Sequence, residues 1–264
     1  MVIEDGLAAI VTGGASGLGY ATAQALIAKG VNVSVFDNNK DEGAAKAAEI
    51  GANFQMVDIR EEQSVLDGFA SARAINGQER ILIHCAQVSK FGQTIQCNAL
   101  NGSLTRLPTE DFEFSSQGVL VASYRVASIA ALGMAHTKPI NRDGERGCVV
   151  LTSSVAAQDA QIGQVCYGAC KAGVDGLVLP MARDLMQLGI RVNSIMPGIF
   201  STPPMLDVKS NSPEVFDNLL SSVVFPQRLG RPEEYASLVL EIVGNTYLNG
   251  HSFRLDGGIR MPIN

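Results

Sequence analysis

Short, continuously apolar runs alternate with longer helical segments along almost the whole of this 264-residue chain. Parallel strands that are buried on both faces have this continuous apolar character, and helical crossovers join them. The alternation predicts an α/β fold: one doubly wound domain over residues 1–264, with a parallel seven-stranded sheet and helices on both faces. The predicted strands cover residues 7–12, 31–36, 53–57, 80–85, 147–153, 190–196 and 251–255, and the predicted helices cover 17–29, 40–50, 111–136, 164–187 and 233–243.

Composition argues against several classes of protein. Hydrophobic residues make up 46% of the chain and charged residues 17%, which supplies a large core and argues against disorder. The net charge of −6 disfavours binding to nucleic acid, and no apolar run approaches the roughly 18 residues of a membrane span. Five cysteines without paired spacing and the absence of a secretory signal predict a reduced, cytoplasmic protein, and three scattered histidines predict no metal site.

Two segments, residues 87–110 and 198–228, interrupt the alternation. Both are rich in Pro, Ser, Asn and Gly, and in an open parallel sheet they would lie beyond the carboxyl ends of strands, where ligands bind. We expect 87–110 to be a variable loop. We expect 198–228, which mixes polar residues with apolar ones such as Met205, to be a lid over an apolar substrate.

A Gly-rich turn, TGGASGLG at residues 12–19, lies between the first predicted strand and the first predicted helix. Such a turn lets backbone N–H groups approach a pyrophosphate, which the positive end of the helix also attracts. The second strand ends at Asp37, whose carboxylate can accept hydrogen bonds from ribose hydroxyls and would repel a 2′-phosphate. Asp58 and Ile59, at the end of the third strand, are placed to hold an adenine ring. The pattern predicts a site for NAD rather than NADP.

Tyr167 and Lys171 are four positions apart in a predicted helix, so their side chains share one face. Ser154 follows the fifth predicted strand and can reach the same crevice. A free tyrosine has a pKa of about 10, and a lysine ammonium and an oxidised nicotinamide ring nearby would both favour its phenolate. The three residues predict an alcohol dehydrogenase, in which Tyr167 takes the alcohol proton, Ser154 binds the substrate oxygen, and Lys171 acts on the tyrosine and on the nicotinamide ribose.

At these residues the chain resembles the short-chain dehydrogenase/reductase family of Rossmann-fold enzymes. The resemblance rests on TGGASGLG (12–19), on Ser154 with YGACK (167–171), and on Pro197-Gly198 shortly before Thr202. It implies a small-molecule substrate, a homotetramer and NAD as the cofactor. The cofactor contacts that it implies, together with those argued above, are Gly13, Ser16, Gly17, Leu18, Gly19, Asp37, Asp58, Ile59, Cys85, Ala86, Tyr167, Lys171, Pro197, Gly198, Phe200 and Thr202.

A narrower resemblance, to type-2 3-hydroxyacyl-CoA dehydrogenases, covers the second half of the chain, at residues 154–167, 182–192, 225–239 and 255–261. It implies oxidation of 3-hydroxyacyl-CoA with NAD, and it places Gln164 and Gln161 near the reacting carbon. Two alternatives stay open. One is the same chemistry on a bulky or aromatic alcohol or ketone, or a hydroxysteroid, without CoA. The other is a non-catalytic NAD-binding protein.

The chain departs from the family pattern at two places. The usual Asn-Asn-Ala-Gly after the fourth strand is here the segment 84–87, HCAQ, and we expect His84 to be a buried structural residue. The family also has an asparagine that helps to hold a water beside the lysine. Counting along the helix places Val119 or Ser115 there, and neither is asparagine. We therefore expect an active enzyme that is slower or has a shifted pH optimum.

Overall fold

The computed structural model describes residues 1–263 of the chain. The strands are β1 (Ala8–Thr12), β2 (Asn32–Asp37), β3 (Asn53–Met56), β4 (Ile81–His84), β5 (Ile95–Cys97), β6 (Leu104–Arg106), β7 (Gly147–Thr152), β8 (Ile190–Pro197) and β9 (Ser252–Leu255). The α-helices are α1 (Gly17–Ile27), α2 (Lys40–Ile50), α3 (Glu62–Asn76), α4 (Thr109–Ser115), α5 (Ala122–Ala135), α6 (Ala156–Asp159), α7 (Val165–Asp184), α8 (Pro203–Asn211), α9 (Pro213–Ser221) and α10 (Pro232–Gly244). A π-helical turn, Ser116–Val121, joins α4 to α5.

Seven strands form one parallel sheet in the order β3-β2-β1-β4-β7-β8-β9. Strands β2 and β3 extend the sheet on one side of β1. The later strands, from β4 to β9, extend it on the other side. A reversal of this kind opens a crevice at the carboxyl ends of the two central strands, which here are β1 and β4. The predicted doubly wound, seven-stranded parallel sheet is confirmed.

Successive side chains of each strand enter cores on opposite faces of the sheet. Leu82 and Leu151 pack with residues of α3, α5 and α7, whereas Ile83 and Val150 pack with residues of α1, α2 and α10. All four are fully buried, and burial contributes about 1.5–3 kcal/mol for each side chain of this size. Burial on both faces explains why the strands are continuously apolar.

Helix α3 was not predicted from the sequence. Its apolar residues are not confined to one face: Val65, Phe69 and Ala72 supply the buried side of the helix, whereas Leu66 and Ile75 are exposed. The spacing of the three buried residues, four and then three positions, is the helical signal that could have found it.

The two interrupting segments contain more regular structure than expected. Within 87–110, strands β5 and β6 form an antiparallel hairpin, and within 198–228 the chain forms α8 and α9. The segment 87–110, predicted as a variable loop, thus contains a short hairpin. The side chains of both hairpin strands are exposed, so no alternation of apolar and polar residues marks them.

One helix among the described residues, Thr109–Ala135, is long and apolar enough to cross a membrane by length and composition. The sequence argument that no stretch approaches this character is thus wrong. However, Val126, Ala130 and Met134 on this helix are fully buried against the sheet. Packing in the protein core accounts for its apolar character.

Candidate active site

A cleft with a volume of about 770 Å³ opens above the carboxyl ends of β1, β2, β4, β7 and β8. Every residue that the sequence assigned to cofactor, proton transfer or substrate lines it. These are Gly13, Ser16, Gly17, Leu18, Gly19, Asp37, Asp58, Ile59, Cys85, Ala86, Ser154, Gln161, Gln164, Tyr167, Lys171, Pro197, Gly198, Phe200, Thr202 and Met205. The fold therefore brings together in one cleft residues that are as far apart in the chain as Gly13 and Met205.

The Gly-rich turn forms one wall of the cleft. Gly13 has φ +64°, and a Cβ there would lie 2.8 Å from the backbone nitrogen of Ala86, so only glycine permits this close approach. Ser16 is the N-cap of α1, and its side chain makes no capping hydrogen bond within the described chain. The first turn of α1 carries no acidic residue. This helix N-terminus is therefore available to bind the pyrophosphate of a dinucleotide.

Asp37 lies beside the Gly-rich turn at the end of β2. The amide of Ala15 donates to its Oδ2 at 3.3 Å, and the amide of Asn39 donates to its Oδ1 at 3.2 Å. A carboxylate has about four acceptor positions, so Asp37 can still accept hydrogen bonds from ribose hydroxyls. Together with the α1 N-terminus, it makes the cleft fit a dinucleotide.

Asp58 is more strongly engaged than the sequence indicated. Arg60 donates to its carboxylate from Nε at 3.0 Å and from Nη2 at 2.6 Å, and also from the backbone amide at 2.9 Å. These hydrogen bonds lower the pKa of Asp58. Any contact between Asp58 and an adenine ring must therefore be shared with Arg60, which also lines the cleft.

Ser154, Tyr167 and Lys171 meet where β7 ends and α7 begins. The Lys171 Nζ lies 5.8 Å from the centroid of the Tyr167 ring and donates to the carbonyl of Thr152 at 2.6 Å. Ser154 accepts a hydrogen bond from the amide of Ala156 at 3.1 Å, and its hydroxyl is close enough to Tyr167 to lower the pKa of the phenol. The cleft thus holds a phenol, a hydroxyl and an amine side by side.

The electrostatics of Tyr167 differ from the simple sequence argument. Burial raises the pKa of the Tyr167 phenol, and the neighbouring Ser154 hydroxyl only partly opposes this rise. Burial also lowers the pKa of Lys171 to about 8. Without a bound ligand, the loss of hydration on burial therefore raises the pKa of the Tyr167 phenol despite the nearby Lys171. A positive charge on a bound ligand is needed to favour the phenolate.

The first departure from the family pattern, the segment 84–87, places a buried histidine beside the cleft. His84 is buried, its Nδ1 lies 2.8 Å from the Thr12 hydroxyl, and burial lowers its pKa to about 3. The expectation of a buried structural histidine is confirmed. Gln87 lines the cleft and therefore changes its floor. Cys85 accepts a hydrogen bond at 3.3 Å from the hydroxyl of Thr152, a contact that the sequence did not predict.

The second departure concerns the missing asparagine. Val119 lies in the π-helical turn and is buried. Ser115 is also buried, donates to the carbonyl of Asp111 at 2.7 Å and accepts from the amide of Lys90 at 2.9 Å. Within the described chain, neither Val119 nor Ser115 lines the cleft. Neither side chain therefore offers a hydrogen-bonding group to the cleft that Lys171 lines.

Several residues that line the cleft were not predicted. The clearest is Phe91, an aromatic residue in a polar segment, whose ring centroid lies 5.5 Å from that of Tyr167. Others are Asn38, Arg60 and Met261, whereas Pro203, Pro204, Val208 and Leu219 belong to the predicted lid segment 198–228. An isolated aromatic residue shortly after β4 was the only signal that could have pointed to Phe91.

Comparisons with known proteins agree with this geometry. The family model described as short chain dehydrogenase matches residues 7–212, which contain the Gly-rich turn, Ser154, Tyr167 and Lys171. The 3-hydroxyacyl-CoA dehydrogenase type-2 of Homo sapiens is 40% identical over 97% of this chain and 96% of its own length. That of Drosophila melanogaster is 41% identical over 96% of each chain. The crystal structure of 3-hydroxyacyl-CoA dehydrogenase type-2 from Mycobacterium avium superposes with a TM-score of 0.88 at 36% identity over the whole of both chains.

Proposed function

We propose that this chain, which belongs to the short-chain dehydrogenase family, is an NAD-dependent enzyme whose substrates are 3-hydroxyacyl-CoA thioesters and their 3-oxoacyl counterparts. Membership of that family makes it an oxidoreductase that uses a nicotinamide cofactor and acts on a small molecule. The observation that carries the proposal is the placement of Ser154, Tyr167 and Lys171 in the same cleft as the free N-terminus of α1. The choice of a CoA thioester rests on the relatives that are similar over nearly their full length.

Each of the three residues has one role in this proposal. When bound, NAD supplies a hydride acceptor for the carbinol carbon. Ser154 donates a hydrogen bond to the substrate oxygen, and Tyr167 takes the hydroxyl proton as the carbon–oxygen double bond forms. Lys171, held on the carbonyl of Thr152, keeps a positive charge beside the phenol and reaches the nicotinamide ribose. In the reverse direction Tyr167 returns the proton to the oxygen.

The choice of NAD over NADP rests on Asp37. Its carboxylate forms no ion pair with any described residue, so it remains a local negative charge where a 2′-phosphate would lie. Ribose hydroxyls, in contrast, can donate to it. The two amides that fix the carboxylate keep it in place for that contact.

The wider proposals are a homotetramer and a cytoplasmic location. Helices α5 and α7 expose apolar or aromatic side chains at Tyr124, Leu132 and Leu179, which is typical of helix faces that pack against another subunit.

The cytoplasmic location rests on the cysteines. All five are unpaired in the described chain, which is compatible with a reducing compartment.

A second candidate function is the reduction of bulky or aromatic ketones without CoA. The aromatic side chain of Phe91 beside Tyr167 favours it. In contrast, the cleft also contains the two glutamines, Gln161 and Gln164, that the CoA-dependent relatives led us to expect near the reacting carbon.

An assay with two substrates separates these candidates. We expect NADH to be oxidised with a kcat/KM at least about tenfold higher for acetoacetyl-CoA than for acetophenone, a difference of about 1.4 kcal/mol. Higher efficiency with acetophenone would favour the second candidate. Tight NADH binding without turnover of either substrate would support a non-catalytic NAD-binding protein.

A further inference from the structure

Residues 90–92 form a short strap across the mouth of the cleft. On one side the amide of Lys90 donates to the Ser115 hydroxyl at 2.9 Å. On the other side the amide of Gly92 donates to the carbonyl of Gly163 at 2.7 Å, and Gly92 forms a parallel bridge with Gln164. The strap is therefore anchored both to the end of α4 and to the turn before α7, which carries Tyr167.

The strap holds Phe91 directly on the Tyr167 ring. The two ring centroids are 5.5 Å apart and the ring planes are inclined by 37°, which lies within the range of attractive aromatic pairs. Yet Phe91 is 62% exposed. Most of its surface therefore remains open to solvent, although burying a phenyl group is worth about 1.5–3 kcal/mol.

The surroundings of Phe91 are uncharged on the side away from the Gly-rich turn. The ring lines both the main cleft and an adjoining groove of about 430 Å³. The residues that line this groove are Phe91, Gly92, Gln93, Gln96, Ile162, Gly163 and Gln164. The nearby ammonium of Lys90 lies over the ring of Phe114 instead, 5.4 Å from its centroid. The apolar surface next to Tyr167 is therefore the Phe91 ring itself, and the groove beside it offers neutral amides and no charged side chain.

We propose that Phe91 is a specificity-determining residue, whose open ring face packs against the apolar substituent on the carbon that bears the substrate oxygen. Because the ring adjoins Tyr167, a substituent that contacts it lies next to the reacting oxygen. A planar aromatic substituent gains contact area and ring–ring attraction there, whereas a methyl group gains little. The inference rests on the proposed function and adds to it a preference for aryl over methyl substituents.

Two thioesters that differ only in this substituent test the inference. Acetoacetyl-CoA carries methyl and benzoylacetyl-CoA carries phenyl on the same reacting carbon. In the Phe91→Ala variant we expect the ratio of kcat/KM for phenyl over methyl to fall by about tenfold from that of the wild type, equivalent to about 1.4 kcal/mol. Phe91→Tyr keeps the ring and should keep the ratio. Tyr247→Ala, at a residue that is 97% exposed and does not line the cleft, should also keep it.

The outcomes distinguish this inference from the proposed function. If Phe91 only supported the Tyr167 ring, Phe91→Ala would slow both thioesters equally and leave their ratio unchanged, and the inference would be overturned. If the wild type turned over neither thioester, the proposed function would fail first. The same ratio of phenyl over methyl, measured with acetophenone and acetone, would then decide the role of Phe91, and no turnover of that pair would overturn this inference as well.

Discussion

Tyr167→Phe is expected to lower kcat for the reduction of acetoacetyl-CoA by about 10²–10⁴-fold, the usual contribution of a general acid or base. The substitution removes one oxygen atom and keeps the ring that packs against Phe91. The cofactor contacts made by the Gly-rich turn and Asp37 lie elsewhere in the cleft, so the affinity for NADH should change little. A loss of kcat without a loss of NADH binding would therefore locate the defect in proton transfer.

The matched control is Tyr247→Phe, which removes the same atom from a tyrosine that is 97% exposed and does not line the cleft. Steady-state assays give kcat for both variants, and titration of NADH fluorescence gives the dissociation constant. If Tyr167→Phe kept kcat within about threefold of the wild type, well below the range for a general acid, Tyr167 would not be the proton donor.

Asp37→Asn is expected to change the coenzyme preference. A carboxylate facing a 2′-phosphate costs several kcal/mol, so the wild type should favour NADH over NADPH by at least about a hundredfold in kcat/KM, or about 2.7 kcal/mol. The asparagine has nearly the same size, and its side-chain oxygen can still accept one of the two amide hydrogen bonds. We expect the preference to shrink by about tenfold or more, chiefly because activity with NADPH rises.

Asp41→Asn is the control for this experiment, because Asp41 is exposed in the first turn of α2 and does not line the cleft. It removes the same charge and should leave the preference unchanged. A wild type that used NADPH as efficiently as NADH would contradict the role given to Asp37. An equal change in both variants would show only a general effect of net charge.

The sequence predicted the sheet well because burial on both faces requires continuous apolar runs. Strand β4, for example, is fully buried from Ile81 to His84, and the apolar run that predicts it is visible without a structure. Helix α3 was missed because exposed apolar residues such as Leu66 and Ile75 obscure the spacing of its buried ones, Val65, Phe69 and Ala72. The β5–β6 hairpin was missed because exposed strands need no apolar pattern at all.

The candidate site likewise contains residues that the sequence predicts and contacts that it does not. Ser154, Tyr167 and Lys171 could be predicted because their chemistry depends on residue types at fixed spacings. The pairing of Arg60 with Asp58 depends on side-chain conformations, and the position of Phe91 depends on backbone hydrogen bonds at Lys90 and Gly92. Neither leaves a recognisable pattern in the sequence. The direction of the pKa shift of Tyr167 also required the structure, because it depends on burial.

The central claim is that the cleft delivers a hydride from NADH to the carbonyl carbon of a 3-oxoacyl thioester. It is tested most directly by incubating the enzyme with acetoacetyl-CoA and NADH that carries deuterium in both positions at C4 of the nicotinamide ring. Mass spectrometry should then find a single deuterium in the 3-hydroxybutyryl product, bound to the carbinol carbon. An unlabelled alcohol, or no alcohol at all, would contradict the account.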